Sequence, residues 1–304
     1  MNPARLSWPA LLAACLLAAT AAAAQITVPA TSTPTTKPAA VAPKSPIRQD
    51  RLQSVVLGEE RRLVVRLPYD YETNLAARYP VLFKLDGDSG LRRYHETIAE
   101  LSSRGAIPDL IVVAITNAPG QRERDMTPAS LHQEADPTGK MGTGAMGGGD
   151  RFLDFMEKEL IPYVERNYRT TGPRLLAGHS RSALLTVQSL LSQPDLFHAR
   201  FVFSAPLMRD EQRLIADTRA FLAATPQHRS FIYFNWGTAE NEGMGRSHDA
   251  MLALVREQAP GGLRWLIERA PGADHQETPL AAIPGALQGF FRDWRPAATG
   301  RKRD

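Results

Sequence analysis

Residues 52–57 and 62–67 alternate apolar and polar positions on either side of Gly58-Glu59-Glu60, the period of two that predicts a half-buried antiparallel hairpin. Downstream the pattern changes. Residues 79–85 and 110–116 are apolar at nearly every position, as strands are when helices cover both faces of a parallel sheet. Helical spacing follows over residues 91–101 and again over 152–168, where Phe152, Phe155, Met156, Leu160, Ile161 and Val164 share one side. Further strands are predicted at 175–177, 200–204, 230–236 and 263–268, with helices after Ser180 and at 211–223, 248–257 and 279–294. Alternating strands and helices predict an α/β domain: a doubly wound, mostly parallel sheet with an N-terminal antiparallel hairpin at its edge. Only residues 117–149, polar and glycine-rich, show no period, and a loop of that length is usually functional.

The first residues have a different character. Residues 1–24 carry Arg5, an apolar stretch with Leu11, Leu12, Leu16 and Leu17, and then Ala21 to Ala24 before Gln25, the three-part pattern of a secretory signal with an A-x-A cleavage site. The stretch is short and alanine-rich for a permanent span, so a periplasmic or secreted chain with no transmembrane segment after cleavage is expected. The single cysteine, Cys15, lies inside it. A lipid anchor at Cys15 is the alternative processing, and either route leaves the folded part without a thiol for a disulfide or a nucleophile. Residues 25–48, rich in Pro, Thr and Ala, read as an extended linker, which places the folded domain at 49–297 and a basic tail at 298–304. A chain of 304 residues holds such a sheet as one domain. Its net charge of +4 and pI near 9.3 are mild, and its basic residues are dispersed, so no nucleic-acid partner is expected.

Between the strand at 175–177 and the next helical pattern stands Gly178-His179-Ser180-Arg181-Ser182. A strand that turns this sharply into a helix needs small residues at Gly178 and Ser182, and it leaves Ser180 at the tip beside the unpaired N–H groups of the helix start. The usual form of the turn is G-x-S-x-G; here Ser182 replaces the second glycine. A serine hydroxyl is a weak nucleophile and needs an imidazole, which in turn needs a group holding its far nitrogen. Glu240 follows the strand that ends at Trp236, and His275 lies in the Gly/Pro-rich loop between the last strand and the last helix. His248 falls in a helical stretch and His179 adjoins the nucleophile, which leaves His275 as the base. Glu242 and Asp274 rival Glu240 as the acid, and without a carboxylate in reach a Ser-His dyad remains. Oxyanion donors are expected from the backbone N–H of Arg181 and of Gly87 or Asp88, in the loop after the strand at 79–85. Asp86 and Asp88 have no further ligand at metal spacing, so neither a metal nor another cofactor is expected. Arg122, Arg124 and Trp236 are candidate substrate contacts.

These pieces resemble the esterase family of α/β-hydrolases that includes siderophore (enterobactin-type) esterases, S-formylglutathione hydrolase and feruloyl or acetylxylan esterases. The residues carrying the resemblance begin with Arg78-Tyr79-Pro80-Val81-Leu82, Leu85-Asp86-Gly87-Asp88 and Arg122-Glu123-Arg124-Asp125-Met126-Thr127-Pro128. They continue with Gly178-His179-Ser180, Pro194-Asp195-Leu196-Phe197 and Asp274-His275, and cover residues 61–291. The resemblance implies the α/β-hydrolase fold, Ser180 as nucleophile, His275 as base, Glu240 as acid, and cleavage of a small-molecule carboxylic ester through an acyl-enzyme. It departs at Arg181-Ser182, where Leu-Gly is commoner. Arg181 would place a cation near the nucleophile, which suits anionic substrates. That departure keeps open a fold retained for binding without catalysis; acyl transfer to a sugar or peptide acceptor is a third reading.

Overall fold

The computed structural model describes residues 45–131 and 146–294. The predicted signal with Cys15, most of the linker, the glycine-rich stretch 132–145 and the basic tail lie outside the described residues.

In chain order the elements are β1 (Ile47–Ser54), β2 (Glu59–Arg66), β3 (Tyr79–Lys84), α1 (Leu91–Ser103), β4 (Ile111–Ile115) and α2 (Arg122–Met126). Next come α3 (Gly149–Phe155), which passes through one π-helical turn (Met156–Leu160) into α4 (Ile161–Asn167), then β5 (Thr170–His179), α5 (Arg181–Ser192), β6 (Ala199–Phe203) and α6 (Arg209–Ala224). The chain continues through β7 (Ser230–Gly237), α7 (Glu242–Gln258), β8 (Leu263–Ala270) and α8 (Thr278–Phe291).

These strands form one sheet in the order β1-β2-β4-β3-β5-β6-β7-β8. β2 runs antiparallel to both neighbours, and the six strands from β4 to β8 are parallel. The near-continuous apolar runs follow from this layering. On β3, Val81 and Phe83 face the α3–α4 side while Leu82, between them, packs with Tyr94, Ile98 and Leu101 of α1 and with α8. Each such side chain removed from water contributes about 2 kcal/mol. Helices α5, α6 and α7 pack on Val202, Ile232 and Phe234. After β3 the chain steps outward to β4 and then returns to place β5 on the other flank of β3. The crevice at the C-terminal ends of β3 and β5 is therefore a topological switch point, where open α/β sheets hold ligands.

Several boundaries differ from the pattern, among them the starts of β1, β5 and α7. β1 begins at Ile47, inside the expected linker, and Ser45 and Pro46 already bond to Arg66 and Leu67. As an edge strand β1 is exposed on both faces for most of its length, so it carries little alternation. α7 starts six residues before the expected position, at Glu242: the Asn241 side chain caps the Met244 amide at 3.0 Å, while Gly243 and Gly245 weaken the local helical signal.

Candidate active site

Ser180 is the N-cap of α5 and has φ 57° and ψ −124°, a strained conformation for a residue with a side chain. The surroundings hold it there. Its amide donates to Phe203 O at 3.0 Å and its carbonyl accepts from Ala183 N at 2.9 Å. A Cβ on Gly178 would lie 2.4 Å from both Ser182 O and Thr186 Oγ1, so only glycine fits. Ser182 is fully buried, and its hydroxyl accepts from the His179 amide and donates to the His179 carbonyl, both at 2.9 Å. A serine thus closes this turn by bonding across it where a glycine would merely fit.

The loops after β7 and β8 bring Glu240 to His275. Glu240 Oε2 lies 2.6 Å from His275 Nδ1. The other oxygen, Oε1, accepts from Gly237 N and from the Ser204 hydroxyl, both at 2.7 Å, while the Thr278 hydroxyl, 3.3 Å away, donates to Asp274 O at 2.6 Å. Burial raises the carboxyl's pKa, but the bonds from His275, Gly237 and Ser204 outweigh it and hold the group down at about 2. Gly237 also permits the close approach of the base loop, since a Cβ there would lie 2.0 Å from Ala273 O.

The rival residues occupy other positions. Glu242 is 88 % exposed and pairs with Arg246. Asp274 turns its carboxylate to the amides of Gln276 and Glu277 at 2.8 and 2.9 Å. His248 is buried, bonds Ala205 O at 2.9 Å and stacks on Trp236. His179 sets its Nε2 2.7 Å from the His275 carbonyl. Burial and the neighbouring His275 hold its pKa down at about 4, so it is neutral and donates Nε2–H to that carbonyl.

Ser180, Glu240 and His275 line one cleft of about 610 Å³, together with Arg122 and Arg181. Pro206, Met208 and Met244 supply an apolar surface to the same cleft. Neither Arg124 nor Trp236 lines it, which corrects their expected role as substrate contacts. Arg124 pairs with Glu59 and Asp125, across to β2. Trp236 is 3 % exposed, with His248 on one face and Arg269 over its ring. Arg122 does reach the cleft but also grips Asp86 through two bonds of 2.7 and 2.8 Å. The Arg181 guanidinium pairs with Glu123 and bonds Thr127, so its charge is partly neutralised from within.

Of the two expected amides in the loop after β3, that of Gly87 is already committed to Ile115 O at 2.8 Å, which removes it as an oxyanion donor. Asp88 remains. Arg181 occupies the first position of α5, where the helix offers its amide no acceptor. Ser204 and Thr278 were not singled out from the sequence. Both follow the same logic as Glu240, one at the C-terminal end of β6 and the other at the start of α8 beside the base loop. Among the described residues no group of three or more His, Cys, Asp or Glu could hold a metal ion.

The model of the family described as "Putative esterase" matches residues 54–276. The chain is 28 % identical over 167 residues to the ferri-bacillibactin esterase BesA of Bacillus subtilis (strain 168), covering 51 % of this chain and 57 % of that one. It is 28 % identical over 150 residues to the apo-salmochelin esterase of Escherichia coli O6:H1, covering 48 % and 47 %. The chain therefore spans about half the length of these curated relatives. The crystal structure of an IroE-like serine hydrolase from Shewanella oneidensis superposes with a TM-score of 0.73 at 27 % identity, covering 83 % of this chain and 82 % of that one. Matched over residues 54–276, the chain belongs to the esterase family of the α/β-hydrolase type.

Proposed function

We propose that this protein is an exported serine hydrolase that cleaves carboxylic esters through Ser180, His275 and Glu240. The observation that carries the reading is the 2.6 Å bond between Glu240 and His275 in the cleft that also holds Ser180 at its strained turn. Ser180 Oγ attacks the ester carbonyl while His275 Nε2 takes its proton. Glu240 accepts the Nδ1–H and stabilises the imidazolium. The amides of Arg181 and Asp88 receive the developing oxyanion. Collapse of the tetrahedral intermediate expels the alcohol, protonated by His275, and water attacks the acyl-enzyme by the same route in reverse. Export rests on the signal-like composition of residues 1–24, and no helix among the described residues is long and apolar enough to cross a membrane.

The names of the relatives suggest the substrate to try first: a catecholate siderophore held together by ester bonds, whose anionic rings suit a cleft lined by Arg122 and Arg181. The test combines labelling with turnover. The wild type is expected to react with a fluorophosphonate probe, with the adduct mapped by mass spectrometry to Ser180, and Ser180→Ala to stay unlabelled. A triscatecholate lactone, with and without ferric iron, is then assayed beside nitrophenyl esters of graded chain length. A wild type that neither labels nor hydrolyses any of them would sink the reading.

A further inference from the structure

Lys84 lies at the end of β3, 5 % exposed, on a strand buried along its whole length. The neighbours at its level are Ala114 of β4 and Ala177 of β5. Instead of leaving the core, its ammonium curls under the loop that follows. It donates to Leu85 O at 3.1 Å and to Asp86 O at 2.7 Å, with its nitrogen 5.3 Å from the centre of the Tyr94 ring. An ammonium buried this deeply is costly and persists only where something nearby compensates it.

The compensation is in the loop itself. Asp86 is held at φ 51°, and both Asp86 and Asp88 place their negative charge close enough to raise the pKa of Lys84 against its burial. The two carboxylates are not equally neutralised. Asp86 has the bidentate Arg122 and the Asn117 amide. Asp88 accepts the Asn117 backbone N–H at 2.8 Å, a neutral partner. An oxyanion growing at the Asp88 amide would therefore form beside a carboxylate that no cation among the described residues pairs directly. We propose that Lys84 is a positioning residue for the oxyanion loop: its ammonium pins the carbonyls of Leu85 and Asp86 and offsets the Asp88 carboxylate, so that negative charge can build on the substrate. The assignment rests on the ester-hydrolase reading of Ser180.

The groups facing Lys84 are Asp86 and Asp88 on its own loop, Tyr94 and His95 from α1, and Arg122 on the far side of the Asp86 carboxylate. His95 is pushed down to about 4 by burial, Arg66 and Lys84, so it stays neutral wherever the enzyme is assayed. Burial brings Lys84 itself down to about 8. Above that pH the neutral amine keeps N–H donors for the two carbonyls but no longer opposes Asp88. The protonated form is disfavoured by folding, so the contribution of Lys84 to stability rises from about pH 8 to the ordinary lysine value of 10.5. Activity is expected to fall over that same interval while stability rises, so the loss cannot come from a loosening fold.

The test compares wild type, Lys84→Met and Lys84→Gln between about pH 6 and 10 by nitrophenyl-ester kinetics, fluorophosphonate labelling and thermal melting. Wild-type kcat is expected to fall on the alkaline side with an apparent pKa near 8. Lys84→Met should have a kcat about tenfold lower, less than the loss of a direct oxyanion donor, with KM unchanged and the alkaline limb absent. Lys84→Gln, which keeps N–H donors without the charge, should lose the limb too, and its melting temperature should lack the wild type's rise above about pH 8. Variants that label, turn over and keep the wild-type alkaline limb overturn the role of Lys84 alone. A wild type that neither labels nor hydrolyses esters overturns the ester-hydrolase reading, and the role of Lys84 with it.

Discussion

Replacing His275 by alanine should lower kcat by about 10⁶-fold, and Glu240→Gln should lower it by about 10⁴-fold, with KM little changed in either. The asymmetry follows from what each group does. Without the imidazole nothing accepts the Ser180 proton. Without the carboxylate an imidazole remains, but its tautomer and its charged form lose their support. An amide is also a poor isostere at position 240. Oε1 receives two donors, Gly237 N–H and Ser204 O–H, and Oε2 faces His275 Nδ1. Whichever way the amide turns, its NH₂ opposes a donor, at a cost of about 1–3 kcal/mol. Steady-state kinetics beside a denaturant titration separates the two effects: His275→Ala should lose the more activity and Glu240→Gln, whose amide opposes a donor whichever way it turns, the more stability. The pH dependence of stability gives a second check. Glu240 has its pKa depressed from 4.5 to about 2, so its stabilising bonds are complete above the unfolded value and are lost as pH falls through the folded one. That acid-side contribution should vanish in Glu240→Gln. An unchanged kcat in Glu240→Gln would remove the carboxylate from the mechanism.

Arg200→Met should cost about 4 kcal/mol of stability and lower Tm by about 10 °C, with Arg200→Lys recovering only part of it. Arg200 is wholly buried on β6, and its guanidinium bonds Ser189 Oγ, Ser189 O, Gln193 O, Pro194 O and Phe197 O at 2.9–3.0 Å. It ties together carbonyls from the end of α5 and the following turn, of which Ser189 O and Gln193 O also accept the amides of Gln193 and Leu196. A planar fork with five N–H groups can reach them together, whereas an ammonium has three. Ser180 sits at the opposite end of α5, so kcat at a temperature where the variant is folded should stay within about twofold of wild type. A melt unchanged in Arg200→Met would show that water serves those carbonyls as well as the guanidinium does.

The turn at Ser180 and the loops bearing Glu240 and His275 were legible because strand ends and small residues are local signals. What depended on direction or on distant partners was not. Position after a strand located Trp236 near the site, but successive side chains in a strand point to opposite faces, and its ring turned into the core against His248. Arg124 stands two residues from Arg122, yet its partner Glu59 is 65 residues away, on a strand that only the folded sheet brings near. Gly87 and Asp88 were equivalent as oxyanion donors in the sequence; the approach of β4, whose Ile115 carbonyl takes the Gly87 amide, separated them. The role of Ser182 likewise required three dimensions, because a hydroxyl that donates to and accepts from one residue cannot be told in a string from an imperfect glycine.

The sheet order distributes the three groups of the proposed triad unevenly. Ser180 extends from β5, clamped between β3 and β6, whereas Glu240 and His275 follow β7 and β8, the last two strands at one margin, with β8 hydrogen-bonded on one side only. Peeling of that margin would carry the imidazole and its carboxylate away while the serine's turn persisted intact. On the proposed mechanism, inactivation by heat and collapse of the core should then be separable events, and activity lost to the first should return once β8 pairs again with β7.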